Sequence, residues 1–204
     1  MIVISRRVLV PHAGREATVI SWARRFVAGM NRLGSQARAM KVLMGPDTGN
    51  IEVFARYSDF RHGVESFQTI GRDAEMVSLR AEHEAHPAAS VHGPYVYRYV
   101  YGEASAKPVI VQRSYKVSRD KLQAALELLP EAKAAIGPQV SMTAAVPVFA
   151  PDMDHLIITY AVDDLNQLGE VLDQFAMAPA FQTVVAKAGA LGNLEQARVV
   201  QVIS

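Results

Sequence analysis

The feature that most constrains this fold is an internal repeat, because the second half of the sequence can be laid over the first with an offset of about 103 to 106 residues. VISRR at 3–7 matches VIVQR at 109–113, and RLGSQARAM at 32–40 matches AIGPQVSMT at 135–143. VYRYV at 96–100 likewise matches VVQVI at 199–203. The matches occur in the same order in both halves, so we predict two copies of one structural unit.

The first copy reads as strand, helix, strand, strand, helix, strand. Its first helix, over 15–33, places Val19, Trp22, Phe26 and Met30 on one apolar stripe. The cluster PDTGN at 46–50 separates two alternating apolar segments and is typical of a hairpin turn. A helical stretch over 59–84 and a strand over 95–101 complete the unit.

The second copy repeats this order. We expect a strand over 108–117, a helix over 119–136, a hairpin over 139–161, a helix over 164–189 and a strand over 197–203. A βαββαβ unit places helices on one face of a four-stranded antiparallel sheet and leaves the other face uncovered. We therefore predict an α+β fold in which two tandem ferredoxin-like repeats, 1–102 and 109–204, pack sheet to sheet and are joined by a linker at 103–108.

Composition excludes several classes of protein. The net charge of +1 gives no basic surplus for nucleic acid, and no apolar run reaches the roughly 18 residues that a membrane span needs. The absence of cysteine excludes disulfides and thiolate ligands, which fits a cytoplasmic protein. Phosphate-binding glycine loops and nucleophile elbows are missing from the sequence. We expect no nucleic-acid or membrane partner, and either a monomeric pseudo-dimer or a homodimer.

The stretch QFAMAPAFQTVVAKAGALG at 174–192 resembles the late helix of the dimeric α/β-barrel superfamily, which includes antibiotic-biosynthesis-monooxygenase-like and NIPSNAP-like proteins. The corresponding first-half stretch, RDAEMVSLRAEHEAH, lacks the proline and the aromatic residue of this pattern. The resemblance implies an intra-chain barrel with a cavity between sheet and helices in each half. It also implies one of several uses, namely cofactor-free oxygenation, haem handling or small-ligand binding.

His83 and His86, three residues apart on a predicted helix, are the candidate metal or haem ligands. No third convergent ligand accompanies them in the sequence, so a polar helix end is the alternative and no metal site is predicted. In haem-degrading members of the superfamily an axial histidine sits on this late helix. The resemblance therefore keeps haem as an alternative cofactor, while no cofactor is the main expectation.

A row of tyrosines is the best candidate for a ligand-binding wall. Tyr95, Tyr97, Tyr99 and Tyr101 alternate along one strand, so they are expected on one face, with Arg98 on the other. The alternative is ordinary strand packing under the helices. Phe54 and Trp22 are the further candidate substrate contacts.

The candidate catalytic residues are Arg56, Arg98, His12 and His83. Arg56 shares a strand face with Phe54, and a buried arginine needs an anionic partner. Pairing of Arg56 with a strand neighbour such as Glu52 is the alternative to ligand binding. His12 follows the first strand, where a base at a cavity mouth is often found.

These residues favour a protein that binds or oxygenates a small apolar aromatic molecule without a nucleotide cofactor. In this hypothesis the tyrosine strand and Trp22 hold the substrate, and Arg56 or Arg98 stabilises an enolate-like charge. His12 or His83 would move protons. The alternatives are a non-catalytic assembly module with filled cores and a haem-binding protein.

Overall fold

A computed structural model describes all 204 residues, which form eight strands and seven helices joined by turns and loops. The first half contains β1 (Val3–Pro11), α1 (Glu16–Arg32), β2 (Gln36–Met44), β3 (Ile51–Tyr57), α2 (Phe60–Arg72), α3 (Ala74–Ala85) and β4 (Ala89–Tyr101). The second half contains β5 (Val109–Val117), α4 (Arg119–Glu127), α5 (Leu129–Ala135), β6 (Ser141–Phe149), β7 (His155–Val162), α6 (Leu165–Phe175), α7 (Pro179–Leu191) and β8 (Gly192–Val202).

The eight strands form one closed antiparallel barrel in the order β1-β3-β2-β8-β5-β7-β6-β4. Within it each half contributes a ferredoxin-like sheet, β2-β3-β1-β4 and β6-β7-β5-β8. The two sheets are joined at both edges, by β4 with β6 and by β2 with β8. The predicted α+β architecture of two tandem repeats is confirmed, and so is the intra-chain barrel that the resemblance implied, with edge pairing as the means of its closure.

The helices cover the outside of the barrel, and each half has its own hydrophobic core between sheet and helices. In the first half Trp22, Phe26 and Met30 of α1 pack with Met76 and Leu79 of α3 over the outer face of the sheet. The predicted apolar stripe of α1 is therefore the centre of that core. None of the seven helices combines the length and the apolar character needed to cross a lipid bilayer.

Element boundaries differ from the sequence prediction where a local signal was weak. The stretch predicted as one helix over 119–136 is two helices, with Pro130 in the first turn of the second. The stretch predicted as helical over 59–84 is likewise two helices, which meet at Asp73, the N-cap of α3. Strands β4 and β8 begin at Ala89 and Gly192, several residues before the predicted starts at 95 and 197.

Candidate functional site

The inside of the barrel holds a cavity of about 420 Å³, which lies between the two sheets. Side chains alternate along each strand, so one set faces this interior while the other set faces the helices. All eight strands contribute to the lining, and the volume lies within the range of small-molecule sites. Its lining also includes Asn31 in the last turn of α1, Ser35 after that helix, and Ala104 and Ser105 of the linker, which lie at one end that we call the mouth.

Aromatic side chains form part of the cavity wall. Phe54, Tyr97 and Tyr99 line it, together with aliphatic residues of the opposite sheet such as Ile110 and Ile157. Burial raises the pKa of Tyr99, while its interaction with Thr143 and the charges of Arg56 and Arg38 act in the opposite direction. The phenol of Tyr99 is therefore a neutral hydrogen-bonding group beside the mouth arginines at ordinary pH.

The predicted single row of four tyrosines is interrupted. The pairing of β4 with β6 shifts register between Tyr99 and Tyr101. As a result Tyr101 packs against the hydrophobic core of the second half, while Tyr97 and Tyr99 line the cavity. The expectation that all four phenols share one face was wrong at Tyr101, because a β-bulge changes the alternation of side chains.

Two arginines stand at the mouth without a carboxylate partner. Arg38 donates from Nη1 to the carbonyl oxygen of Ser105 at 3.2 Å, and Arg56 donates to the side-chain oxygen of Gln36. Neither arginine forms an ion pair in the structure, in contrast to Arg6 deeper in the barrel. The charge of both guanidinium groups is thus met only by neutral acceptors.

The opposite end of the cavity, which we call the floor, is a buried charge network. The fully buried Glu52 carboxylate accepts hydrogen bonds from Arg6 Nη2 at 2.5 Å and from Arg198 Nη2 at 3.0 Å, and Arg198 Nη1 lies 2.8 Å from it as an ion pair. Arg198 also donates from Nε to the side-chain oxygen of Gln112 at 2.8 Å, and its Nη1 lies 3.6 Å from Asp47 at the surface. The two floor arginines therefore have two carboxylate partners, Glu52 and Asp47, whereas the mouth arginines have none.

Burial and pairing affect the two floor arginines differently. Burial pushes the pKa of Arg6 down, but the charge of Glu52 and the hydrogen bond to it outweigh burial, so the pKa of Arg6 is raised. Burial lowers the pKa of Arg198, with Glu52 opposing and the nearby charge of Arg6 adding to the decrease. Arginine ionises so far above neutral pH that both remain charged.

A smaller chamber of about 110 Å³ lies beyond the floor. Arg6, Tyr97 and Gln112 line both spaces, whereas Tyr95 lines the smaller chamber but not the interior cavity. His155, which sequence analysis did not select, also lines this chamber. Its Nε2 lies 2.7 Å from Glu195 Oε2, whereas the buried Nδ1 has no hydrogen-bond partner, although Asp154 lies 3.3 Å away.

Four of the predicted site residues lie outside both spaces. His12 and Arg98 are exposed to solvent, His12 at the end of β1 and Arg98 on β4. Trp22 is buried in the first-half core, where its indole N–H donates to the carbonyl of Leu79. The ring of His83 packs 5.2 Å from Trp22, so these two residues belong to the same outer packing. The structure thus brings Phe54, Arg56, Tyr97 and Tyr99 together, and it separates the others from them.

The space between sheet and helices also differs from the expectation of one cavity in each half. In the first half the side chains of α1 and α3 fill this region, with Met30 and Met76 fully buried. The second half has a space of about 160 Å³ under α7, lined mainly by apolar residues together with Arg113, Tyr115 and Tyr160. The cavity inside the barrel, at about 420 Å³, is larger than this space, and no three metal-ligating side chains come together anywhere in the chain.

The residues that sequence analysis missed are the charged ones inside the barrel. Glu52 and Arg198 each alternate with apolar residues on a strand, and Arg6 lies between Ser5 and Arg7, patterns that favour a solvent-facing side for the charges. Only closure of the barrel buries that face. The alternation of side chains along a strand could have identified them. Glu52 shares a strand face with Phe54 and Arg56, and Arg198 shares one with Val200.

No protein-family model matches this sequence, and no curated protein matches it. Solved structures do match over the full chain. A candidate monooxygenase from Fusobacterium nucleatum has a TM-score of 0.67 at 8% identity, covering 100% of this chain and 93% of its own. The chain has the dimeric α/β-barrel fold.

Two further structures with this fold illustrate its range. An anthrone oxidase-like protein has a TM-score of 0.62 at 13% identity, covering 100% of this chain and 91% of its own. A heme-degrading enzyme from Listeria monocytogenes has a TM-score of 0.51 at 9% identity, covering 96% of this chain and 98% of its own. Proteins of this fold therefore include ones named for oxidation and for haem, and such low identities leave the function of this chain to its own residues.

Proposed function

We propose that this protein binds a small, planar, largely apolar aromatic molecule inside the barrel and acts on it as an oxygenase-like enzyme without a nucleotide cofactor. The observation that carries the proposal is the interior cavity of about 420 Å³ with Phe54, Tyr97 and Tyr99 on its wall. Aromatic walls with a few hydrogen-bonding phenols suit a planar ligand. The likeness to structures named as a candidate monooxygenase and an anthrone oxidase-like protein is consistent with this reaction class.

In this proposal Arg56 stabilises negative charge that develops on the ring system, because it lines the cavity beside Gln36. The phenols of Tyr97 and Tyr99 orient the ligand through hydrogen bonds. Residues far from the cavity, namely His12, Arg98, Trp22 and His83, have no direct part in binding.

The test compares ligand binding by the natural protein and by a variant whose cavity is filled. Ala145 lines the cavity from β6 and is nearly buried, so Ala145→Leu should occupy space that a ligand needs. Ala28→Leu, on the exposed side of α1, adds the same atoms outside the barrel. We expect calorimetric titration with a panel of fused-ring aromatic compounds to show binding that Ala145→Leu weakens and Ala28→Leu leaves intact. Equal binding by both variants would place the ligand elsewhere.

Haem is the second candidate, because one structure with this fold is a heme-degrading enzyme. The residues of this chain do not fit it at the predicted histidines. The His83 ring is packed against Trp22 in a filled core, and its Nε2 is buried. His86 is exposed at the end of α3 and lines neither the interior cavity nor the space under α7. The test titrates haem into the natural protein and into His83→Ala and His86→Ala. We expect the absorption spectra of the two variants in the Soret region to match that of the natural protein.

A further inference from the structure

The charges around the interior cavity are unevenly distributed along its length. Three arginines, Arg6, Arg38 and Arg56, line it, and no aspartate or glutamate stands among its 24 lining residues. At the floor, Arg6 and Arg198 have two carboxylate partners, Glu52 and, 3.6 Å from Arg198, Asp47, so the positive charge there is already paired. The positive charge at the mouth has no such partner.

The two mouth arginines are held in place but not neutralised. Arg38 is fixed by a carbonyl oxygen of the linker, and Arg56 by the amide oxygen of Gln36. Both charges also act on the phenol of Tyr99, so they lie close to the same part of the cavity wall. Each guanidinium has five N–H donors, and these single contacts leave most of them for another acceptor.

Arg38 and Arg56 are diagonal neighbours on the paired strands β2 and β3, because Arg56 lies opposite Gln36, two residues before Arg38. Two guanidinium groups so placed, with unused donors, match a carboxylate or an ionised phenol or enol. The space behind them is apolar, with Phe54, Ile110 and Ile157 on its walls. A free inorganic anion would leave that apolar space without contacts. A neutral aromatic molecule would leave two arginines at the mouth without an anionic partner.

We propose that the ligand is an aromatic acid, bound with its anionic group at the mouth between Arg38 and Arg56 and its apolar body between Phe54, Tyr97 and Tyr99. This inference rests on the proposed function, since it specifies the ligand class of the same cavity. It also fixes orientation, because the acid group lies next to linker residue Ser105 and the rings point toward the floor.

The test uses pairs of ligands of nearly equal size and shape, of which one is a carboxylate anion and the other its neutral amide. Naphthoate and naphthamide form one such pair, and benzoate with benzamide provides a smaller pair. Charge-assisted hydrogen bonds favour the acid, so we expect naphthoate to bind at least about tenfold more tightly than naphthamide in calorimetric titrations. Arg38→Gln and Arg56→Gln should each weaken naphthoate binding by about tenfold and leave naphthamide binding nearly unchanged.

Arg98→Gln serves as the matched control, because Arg98 is an exposed strand arginine outside the cavity. Circular dichroism and thermal unfolding of each variant establish that it is folded before its binding is compared. Acetate and inorganic phosphate test whether an anion alone suffices.

The outcomes separate the two proposals. Equal binding of acid and amide, each weakened by Ala145→Leu, would overturn the aromatic-acid inference and leave the proposed aromatic site standing. Binding of acetate or phosphate as tightly as naphthoate would overturn the aromatic site itself. Failure of every pair to bind would overturn both, whereas an acid preference lost in Arg38→Gln or Arg56→Gln but kept in Arg98→Gln would support both.

Discussion

At the scale of single residues, the interior of the barrel is most sensitive at Glu52. Its carboxylate is fully buried and holds Arg6 and Arg198 together, so removing its charge leaves two buried arginines without their anion. We expect Glu52→Gln to lower the free energy of unfolding by about 3 kcal/mol. Glu16→Gln removes an exposed ion pair with Lys41 and should change the free energy of unfolding by less than about 1 kcal/mol. Urea unfolding measures both, and equal small effects would contradict a structural role for the floor.

A second residue-scale prediction concerns alkaline pH. Burial raises the pKa of Tyr160, with the neighbouring Tyr115 adding to it and the charge of Arg113 opposing. A tyrosine in the unfolded chain ionises near pH 10, so between that pH and the folded pKa the unfolded state binds fewer protons and the folded state loses stability as pH rises. We expect Tyr160→Phe to reduce this alkaline loss in urea unfolding between about pH 9 and about pH 11. Measurements of Tyr160→Phe near pH 7 give the baseline. If the unfolding free energy of this variant fell with rising pH as steeply as that of the natural protein, the alkaline loss would not come from Tyr160.

At the scale of elements, the two halves use the same helix start. Asp59 accepts from the backbone N–H of His62 at the start of α2, and Asp164 accepts from that of Gln167 at the start of α6. Replacing either with alanine removes a hydrogen bond to an otherwise unpaired helix N–H, whereas asparagine retains an acceptor. We expect Asp59→Ala and Asp164→Ala to lower the melting temperature, and Asp59→Asn and Asp164→Asn to lower it less. If only one of the two alanine variants had a lower melting temperature, the helix starts of the two repeats would not be equivalent.

The cap of α2 also contributes to pH dependence. The hydrogen bond from the His62 N–H, followed by that from Ser58, holds the pKa of Asp59 below its ordinary value. Its stabilisation is therefore present above the unfolded pKa of about 3.9 and is lost as pH falls through the lower folded pKa. Asp59→Asn should remove that part of the acid-induced loss, which thermal melts across this range would detect.

Element order, hairpins and strand parity could be predicted from the sequence because each depends on local periodicity. Parity placed Phe54 and Arg56 on one face of β3, and both line the cavity. Tyr101 could not be placed, since the bulge near it depends on pairing with β6. The burial of Glu52 and Arg198 depends on contact between strands about 146 residues apart in sequence, which no local pattern encodes.

At the scale of the whole molecule, closure of the barrel by two halves makes each half dependent on the other. Residues 1–102 alone would leave the edges β2 and β4 unpaired and the inner face of the sheet uncovered. We expect this half, expressed separately, to associate into dimers or larger species in size-exclusion chromatography with light scattering. A folded, monomeric half would contradict the view that the interior belongs to both repeats.

The central claim is that the barrel interior, rather than the space under the helices, is the ligand site. The most direct measurement is a crystal structure of the natural protein with the tightest-binding aromatic acid. We predict ligand density between Phe54 and Tyr99, with the acid group beside Arg38 and Arg56. Density in the second-half space beside Arg113 and Tyr160, with the interior empty, would contradict the account.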